Sequence, residues 1–214
     1  MKIINEKISI IIIIIIILLS CFLIFCNKDK DDFPTPITGS FIDERDDKTY
    51  MWVQLGNQVW MSENLAFKPD TGNYWIYNND SAKLAKYGYL YNWETAQKVC
   101  PPDWHLPSDA EWNALASYVG GEDIAGMKLK EKGTTNWDPP NEGATNSSKF
   151  TALPSGSRDG HGNFYRDRRS GYWWTSTETV VNNAWNRHLN YNKKEISKNN
   201  ANKWVGFSVR CVKD

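Results

Sequence analysis

The chain has 214 residues, 25 of them basic and 25 acidic, so no overall field favours nucleic acid or another polyanion as partner. That length suits one domain of ordinary size with a buried core. Beyond residue 26 aliphatic residues are sparse, and eleven tryptophans, ten tyrosines and six phenylalanines are left to fill the interior.

Residues 1–26 are a different material. Lys2 and Lys7 precede the isoleucine run Ile10–Ile17, the pattern of an export signal. Leu18-Leu19-Ser20-Cys21 resembles the bacterial lipobox, in which a small residue before cysteine admits the peptidase and the thiol receives the lipid. Cys21 is therefore the expected lipidation site. Cys26 is the alternative: the charged run Asn27–Asp32 after it is similar to the tether of many Bacteroidetes surface lipoproteins, although Phe25 is bulky for that cleavage. An uncleaved anchor is the third reading, because Ile8–Cys26 is interrupted only by Ser9 and Ser20 and roughly 20 apolar residues span a bilayer. Each reading puts the rest of the chain outside the cytoplasm, where a disulfide is chemically permissible. The expected location is the bacterial cell envelope, as an outer-membrane lipoprotein facing the surface and held to the membrane by its N-terminal lipid.

Residues 27–39 read as a flexible tether, rich in Lys and Asp and then in Pro and Thr, and the domain is expected over 40–214. Phe41–Asp43, Tyr50–Leu55 and Gln58–Met61 read as strands of a small antiparallel meander, with Gly56-Asn57 as a two-residue hairpin turn. A short strand is expected in Gly88–Asn92. Asn92 caps a helix over Trp93–Val99 that Pro101 and Pro102 stop. Ser108 and Glu111 form a capping box for a second helix, on which Trp112, Leu115, Ala116 and Val119 share one face. Gly120-Gly121 ends it.

After this the chain is loop-rich, with a short helix near Asp123–Lys130 and a long polar segment from Gly133 to Asn146. Loops of that length within a domain are often functional. Strands are expected at Phe150–Leu153, Asn163–Tyr165, Tyr172–Thr175, Ala184–Tyr191 and Trp204–Val212. Within the domain, the one plausible partner for Cys100 is Cys211.

Five ordered motifs carry a resemblance: Asn57–Leu65, Gly88–Trp93, Cys100–Trp112, Tyr172–Glu178 and Gly206–Val212. Together they closely resemble the Fibrobacter succinogenes major paralogous domain over about residues 38–213, a family common in lipoproteins and without a settled biochemical activity. More distantly, Trp93–Cys100, Leu106, the helix carrying Glu111 and the terminal strand ending in cysteine are similar to the C-type lectin-like scaffold. Leu106–Trp112 and Gly206–Arg210 are also similar to segments of the formylglycine-generating sulfatase-modifying family. These likenesses imply an α+β, C-type lectin-like fold: two short helices with small antiparallel sheets and long loops, preceded by the N-terminal meander. In that scaffold the first helix is bridged to the last strand, as Cys100 and Cys211 would be. A nucleophilic or metal role for the pair is the alternative.

The candidate sites are modest. His105, His161 and His188 lack metal-type spacing, and Ser155-Gly-Ser157 lacks the flanking glycine of a nucleophile elbow. Asp138, Asn141 and Glu142 could offer oxygens to calcium, but Trp137-Asp138-Pro-Pro-Asn141 and Trp185-Asn-Arg187 only faintly echo the calcium motifs of C-type lectins. The cofactor expectation is none. Aromatic stacking is the other route to a glycan, with candidates in Tyr74–Tyr77, Trp137, His161–Tyr165 and Trp173-Trp174, against the alternative that these rings are packing residues. Arg158, Arg166, Arg168 and Arg169 offer charge for an anionic ligand. The expected ligand-binding set is Trp137, Asp138, Asn141, Arg158, Tyr165 and Trp173, on loops between Gly133 and Trp174. The expected function is a non-catalytic binding or adhesion module for a glycan or protein ligand, with no catalytic residue. The alternatives are an enzyme related to the formylglycine-generating family and a passive subunit of a surface assembly.

Overall fold

The computed structural model describes residues 33–214. Cys21, Cys26 and the apolar segment around them lie outside the described residues. The first three strands are β1 (Thr38–Asp43), β2 (Lys48–Leu55) and β3 (Gln58–Met61), so pairing reaches back into the segment expected to be tether. Leu55 faces Gln58 across the β2–β3 turn, and Gly56 has φ 63°. A two-residue hairpin needs that left-handed backbone, which glycine adopts without steric cost.

The later strands are β4 (Tyr74–Trp75), β5 (Leu90–Tyr91), β6 (Trp104–His105), β7 (Ser157–Arg158), β8 (Phe164–Tyr165), β9 (Ser170–Val180), β10 (Asn183–Asn190), β11 (Ile196–Asn202), β12 (Phe207–Ser208) and β13 (Val212–Lys213). The architecture is α+β. One five-stranded sheet runs β1-β2-β3-β13-β6, a six-stranded sheet runs β11-β10-β9-β12-β5-β4, and β7 and β8 form a separate ribbon. The last segment of the chain thus supplies a strand to each large sheet. Among the described residues, α-helices cover Leu84–Tyr87, Trp93–Ala96, Asp109–Tyr118 and Glu122–Leu129. None is long and apolar enough to cross a membrane.

Several expectations are corrected. The helix at Trp93 is a single turn ending at Ala96, well short of Val99. Phe150–Leu153 is not a strand: Lys149 and Thr151 have φ near 58° and 55°, outside the extended region, and only Ala152 bridges to Lys130. The expected strand from Trp204 to Val212 is two short strands. β11 was not foreseen. Its Ile-Ser-Lys-Asn-Asn-Ala-Asn sequence has little apolar alternation because it is an edge strand, paired only with β10.

The expected face of the Asp109–Tyr118 helix is the buried one: Trp112, Leu115, Ala116 and Val119 are all buried. Trp112 meets Trp60 at 4.8 Å and Phe150 at 5.9 Å between ring centroids. Arg210, fully buried, lays its guanidinium 4.3 Å from the Phe150 ring centroid and donates to Asn64 Oδ1 at 2.9 Å. Burial lowers its pKa to about 9.

Around this core the segment Cys100–Trp112 acts as a brace. Cys100 and Cys211 are joined by a disulfide across 111 positions, with Cα atoms 6.0 Å apart. Ser108 accepts from the Glu111 N–H while the Glu111 carboxylate accepts from the Ser108 N–H, closing the capping box. The same carboxylate meets His105 Nε2 at 2.8 Å, and His105 Nδ1 meets Asp214. Arg45, from the β1–β2 turn, donates to the carbonyls of Val99 and Cys100 at 3.1 and 3.2 Å. The brace is therefore clamped to the first hairpin as well as to the end of the chain.

Candidate ligand-binding face

Of the eleven tryptophans, Trp204 alone is exposed, at 63%. In a core poor in aliphatic residues, the other rings are needed as packing. Trp204 sits in a turn in which Val205 N–H donates to Asn202 O at 3.0 Å, and its own N–H donates to Asn202 Oδ1 at 3.0 Å. Lys203 fixes the turn from both sides. Its carbonyl accepts from Trp93 N–H at 3.0 Å, and its ammonium meets Glu178 at 2.7 Å and lies 4.3 Å from the Trp93 ring centroid. The indole is held by a rigid backbone while its ring faces solvent.

A hollow of about 100 Å³ opens beside Trp204, lined by Asn92, Glu94, Val181, Asn182 and Lys203. Asn92 and Glu94 also line a larger hollow of about 370 Å³ bounded by the loop from Phe67 to Asn73, with Thr95 and Lys98 on its other wall. Gly72 is required here: at φ 109° it brings the loop so close that a Cβ would fall 2.4 Å from Thr95 Oγ1. Asn73 N–H donates to that same hydroxyl at 2.9 Å, and Asn92 N–H donates to Asn73 O at 3.0 Å. A third hollow, about 310 Å³, has Tyr74, Trp75, Ile76 and Tyr89 as its apolar lining, with Lys68 and Asn79 as polar members.

β7 borders this region. Arg158 is bonded through its backbone to Gly206 in both directions, at 3.0 and 2.8 Å, and its guanidinium lies 4.1 Å from the Trp75 ring centroid. Gly206 permits this stack: a Cβ there would sit 3.0 Å from Trp75 and 3.2 Å from Arg158 Cβ. Tyr165, 48% exposed, donates its hydroxyl to Asp159 Oδ2 at 3.1 Å. Asp159 also accepts from the Asn163 side chain and from the N–H groups of Asn163 and His161, and these bonds hold its pKa down to about 2.

Arg158 and Tyr165, both expected at a ligand site, therefore do border an accessible face. Of the other expected residues, Trp137, Trp173 and Asn141 are buried, and half-buried Asp138 is engaged by two arginines. Trp137 and Trp173 have no exposed surface, and their indole N–H groups donate to Ala152 O at 3.0 Å and Asn64 Oδ1 at 2.9 Å. Their rings cannot stack on a sugar, which corrects that expectation. Asn141 is buried, its amide donating to the carbonyls of Glu131 and Gly133 at 2.8 and 2.6 Å. The two carboxylate oxygens of Asp138 accept from Arg168 Nε at 2.9 Å and Arg169 Nε at 3.2 Å. Asn141, offered as a calcium ligand, instead ties the Gly133–Asn146 loop to its own backbone, and Asp138 joins that loop to Arg168 and Arg169. Among the described residues no group of three or more His, Cys, Asp or Glu side chains is arranged to hold a metal ion.

The model of the Fibrobacter succinogenes major domain matches residues 53–213. The chain belongs to that family. No curated protein and no solved structure matches it. Within this Fibrobacter succinogenes major domain the match runs from β2 to β13, so it takes in the brace, the three hollows and Trp204 alike.

The sequence reading missed Trp204 because it was assigned to a strand. The signal was present in Asn199-Asn200-Ala201-Asn202-Lys203, a polar run that ends in a turn and leaves a large ring with little to pack against.

Proposed function

We propose that this protein is an exported, lipid-anchored module of the bacterial cell envelope that binds a glycan on the Trp204 face, and that its scaffold is C-type lectin-like. The observation that carries the reading is Trp204, solvent-facing on a fixed turn beside hollows lined by Asn92, Asn182, Glu94 and Lys203. A sugar presents an apolar ring face to an indole and hydroxyls to amides and carboxylates, and this surface offers both. Exposed Val181 at the β9–β10 turn extends the apolar ground beside the ring. The bridge from Cys100, just beyond the Trp93 turn, to Cys211 near the last strand is the feature that supports the scaffold reading.

The disulfide also weighs against the thiol-based enzyme alternative. Cys100 and Cys211 are the only cysteines among the described residues, and both are consumed in the bridge. The test is a screen of the full-length protein on a glycan array, alongside Trp204→Ala. Binding that falls at least tenfold in the variant, at an unchanged melting temperature, supports the reading. No glycan bound, or equal binding by both proteins, contradicts it.

A further inference from the structure

We infer that the glycan carries a carboxylated sugar, a hexuronate, whose carboxylate is held by Arg158 while its ring stacks on Trp204. This rests on the reading of the Trp204 face as a glycan site and adds the chemical class of the sugar. The starting point is the state of Arg158. Among the described residues no carboxylate lies within ion-pair distance of its guanidinium, and its one side-chain hydrogen bond runs from Nη1 to Asp159 O at 3.2 Å. The nearest acid in sequence, Asp159, is saturated by His161, Asn163 and Tyr165. Arg168 and Arg169, further along that stretch, both spend their charge on Asp138.

The Arg158 guanidinium lies against the Trp75 ring, 4.1 Å from its centroid, and Nε and Nη2 are left free to bond. A planar fork held in place is the donor geometry that a carboxylate matches with two parallel hydrogen bonds. The space around that fork is kept open by glycines. A Cβ on Gly162 would sit 3.1 Å from Arg158 Nη2, and one on Gly160 would lie 3.9 Å from Trp204 Cβ. With Gly206 bonded opposite Arg158, at most about 7 Å of backbone separates that position from Trp204. The Gly160–Gly162 segment thus reaches both residues, with Gly160 beside Trp204 and Gly162 beside the Arg158 guanidinium.

The charges also set the direction of binding. Exposed Glu94 lines the hollow beside Trp204 that Arg158 does not line, and it would repel a carboxylate and accept hydroxyls. An acidic sugar is therefore oriented with its carboxylate toward Arg158 and its hydroxyls toward Glu94, Asn92 and Asn182.

The experiment is calorimetric titration of the full-length protein with three probes: tetragalacturonate, its fully methyl-esterified form, and an uncharged galactan oligomer. The wild type is expected to bind the acid ten- to a hundredfold more tightly than the ester, the range of a charge-assisted bidentate pair. Arg158→Gln should erase that preference, bringing the acid down to the affinity of the ester. Gly160→Leu, a position with no positive φ, should crowd the space beside Trp204 and weaken the acid at least tenfold without lowering the melting temperature. Ester or galactan bound as tightly as the acid overturns the assignment to Arg158 while leaving glycan binding intact. Failure of all three probes, in a protein that also binds nothing on the glycan array, overturns both.

Discussion

Lys130 is the sharpest case of a single residue bearing weight. It has no exposed surface, and its ammonium donates to three backbone carbonyls, Glu142 O, Asn190 O and Lys193 O, at 3.1, 3.1 and 2.8 Å. It ties the Gly133–Asn146 loop to the β10–β11 turn. Burial lowers its pKa from 10.5 to about 8. The folded chain gives up this proton before the unfolded chain does, so above about 8 and up to the ordinary lysine range the unfolded state binds more protons. Stability from this residue is expected to rise with pH across that window. Denaturant titrations from pH 7.5 to 10.5 check it, and Lys130→Met should remove the slope. The same variant should cost about 3 kcal/mol at neutral pH, because three carbonyls lose their donor at once. His105 works in the opposite sense. Burial alone would lower its pKa, but the hydrogen bonds to Asp214 and Glu111 outweigh it and raise it. Its contribution is present below the ordinary histidine range and is lost as pH rises through the raised value. The stability difference between wild type and His105→Ala should therefore shrink as pH rises past neutrality. Neither role was legible in the sequence, where Lys130 ended a helix and His105 was one unpaired histidine among three.

The elements that the sequence announced most clearly are those with local chemistry: the Gly56-Asn57 hairpin and the capping box of Ser108 and Glu111. Ser108→Ala should cost about 1 to 2 kcal/mol, since the helix loses the acceptor for Glu111 N–H. Elements set by distant contacts were hidden. Gly126, inside the helix Glu122–Leu129, would be improved to alanine by propensity alone, by about 1 kcal/mol. The packing reverses the sign. A Cβ there would lie 2.6 Å from both Lys194 O and Glu195 O, backbone atoms of the β10–β11 connection that cannot swing away. Gly126→Ala is expected to destabilise by about 2 kcal/mol or more in equilibrium denaturation. β11 stayed hidden for a similar reason: what makes it a strand is its register with β10, Leu189 against Ile196 and Asn183 against Asn202, and nothing in its own composition.

Across the whole molecule, the sequence placed the brace correctly and the binding loops only partly. The loop from Gly133 to Asn146 looked available because it is long and polar. It is instead pinned by Lys130, Asn141 and the Asp138 pairs, and its tryptophan is core while Gly133–Thr135 and Pro139-Pro140 stay exposed. The accessible face is assembled from five separated segments, Phe67–Trp75, Asn92–Lys98, Arg158–Tyr165, Val181-Asn182 and Asn202-Lys203-Trp204, which only the folded topology brings side by side. The disulfide stands behind that topology. Closing a loop of 111 residues limits the unfolded chain by at most about 5 kcal/mol, and Cys100→Ser with Cys211→Ser should lose most of that in a denaturant series.

The central claim is that ligand meets the protein at Trp204 while the remaining indoles stay in the packing. The most direct measurement is the set of indole ¹⁵N–H resonances of the full-length protein, followed as tetragalacturonate is added. Trp204 should shift most, with Trp75 moving through its stacked Arg158, while the buried Trp60, Trp112, Trp137, Trp173 and Trp174 stay fixed. Shifts confined to the buried rings, or a Trp204 signal that does not move at saturating ligand, would contradict it.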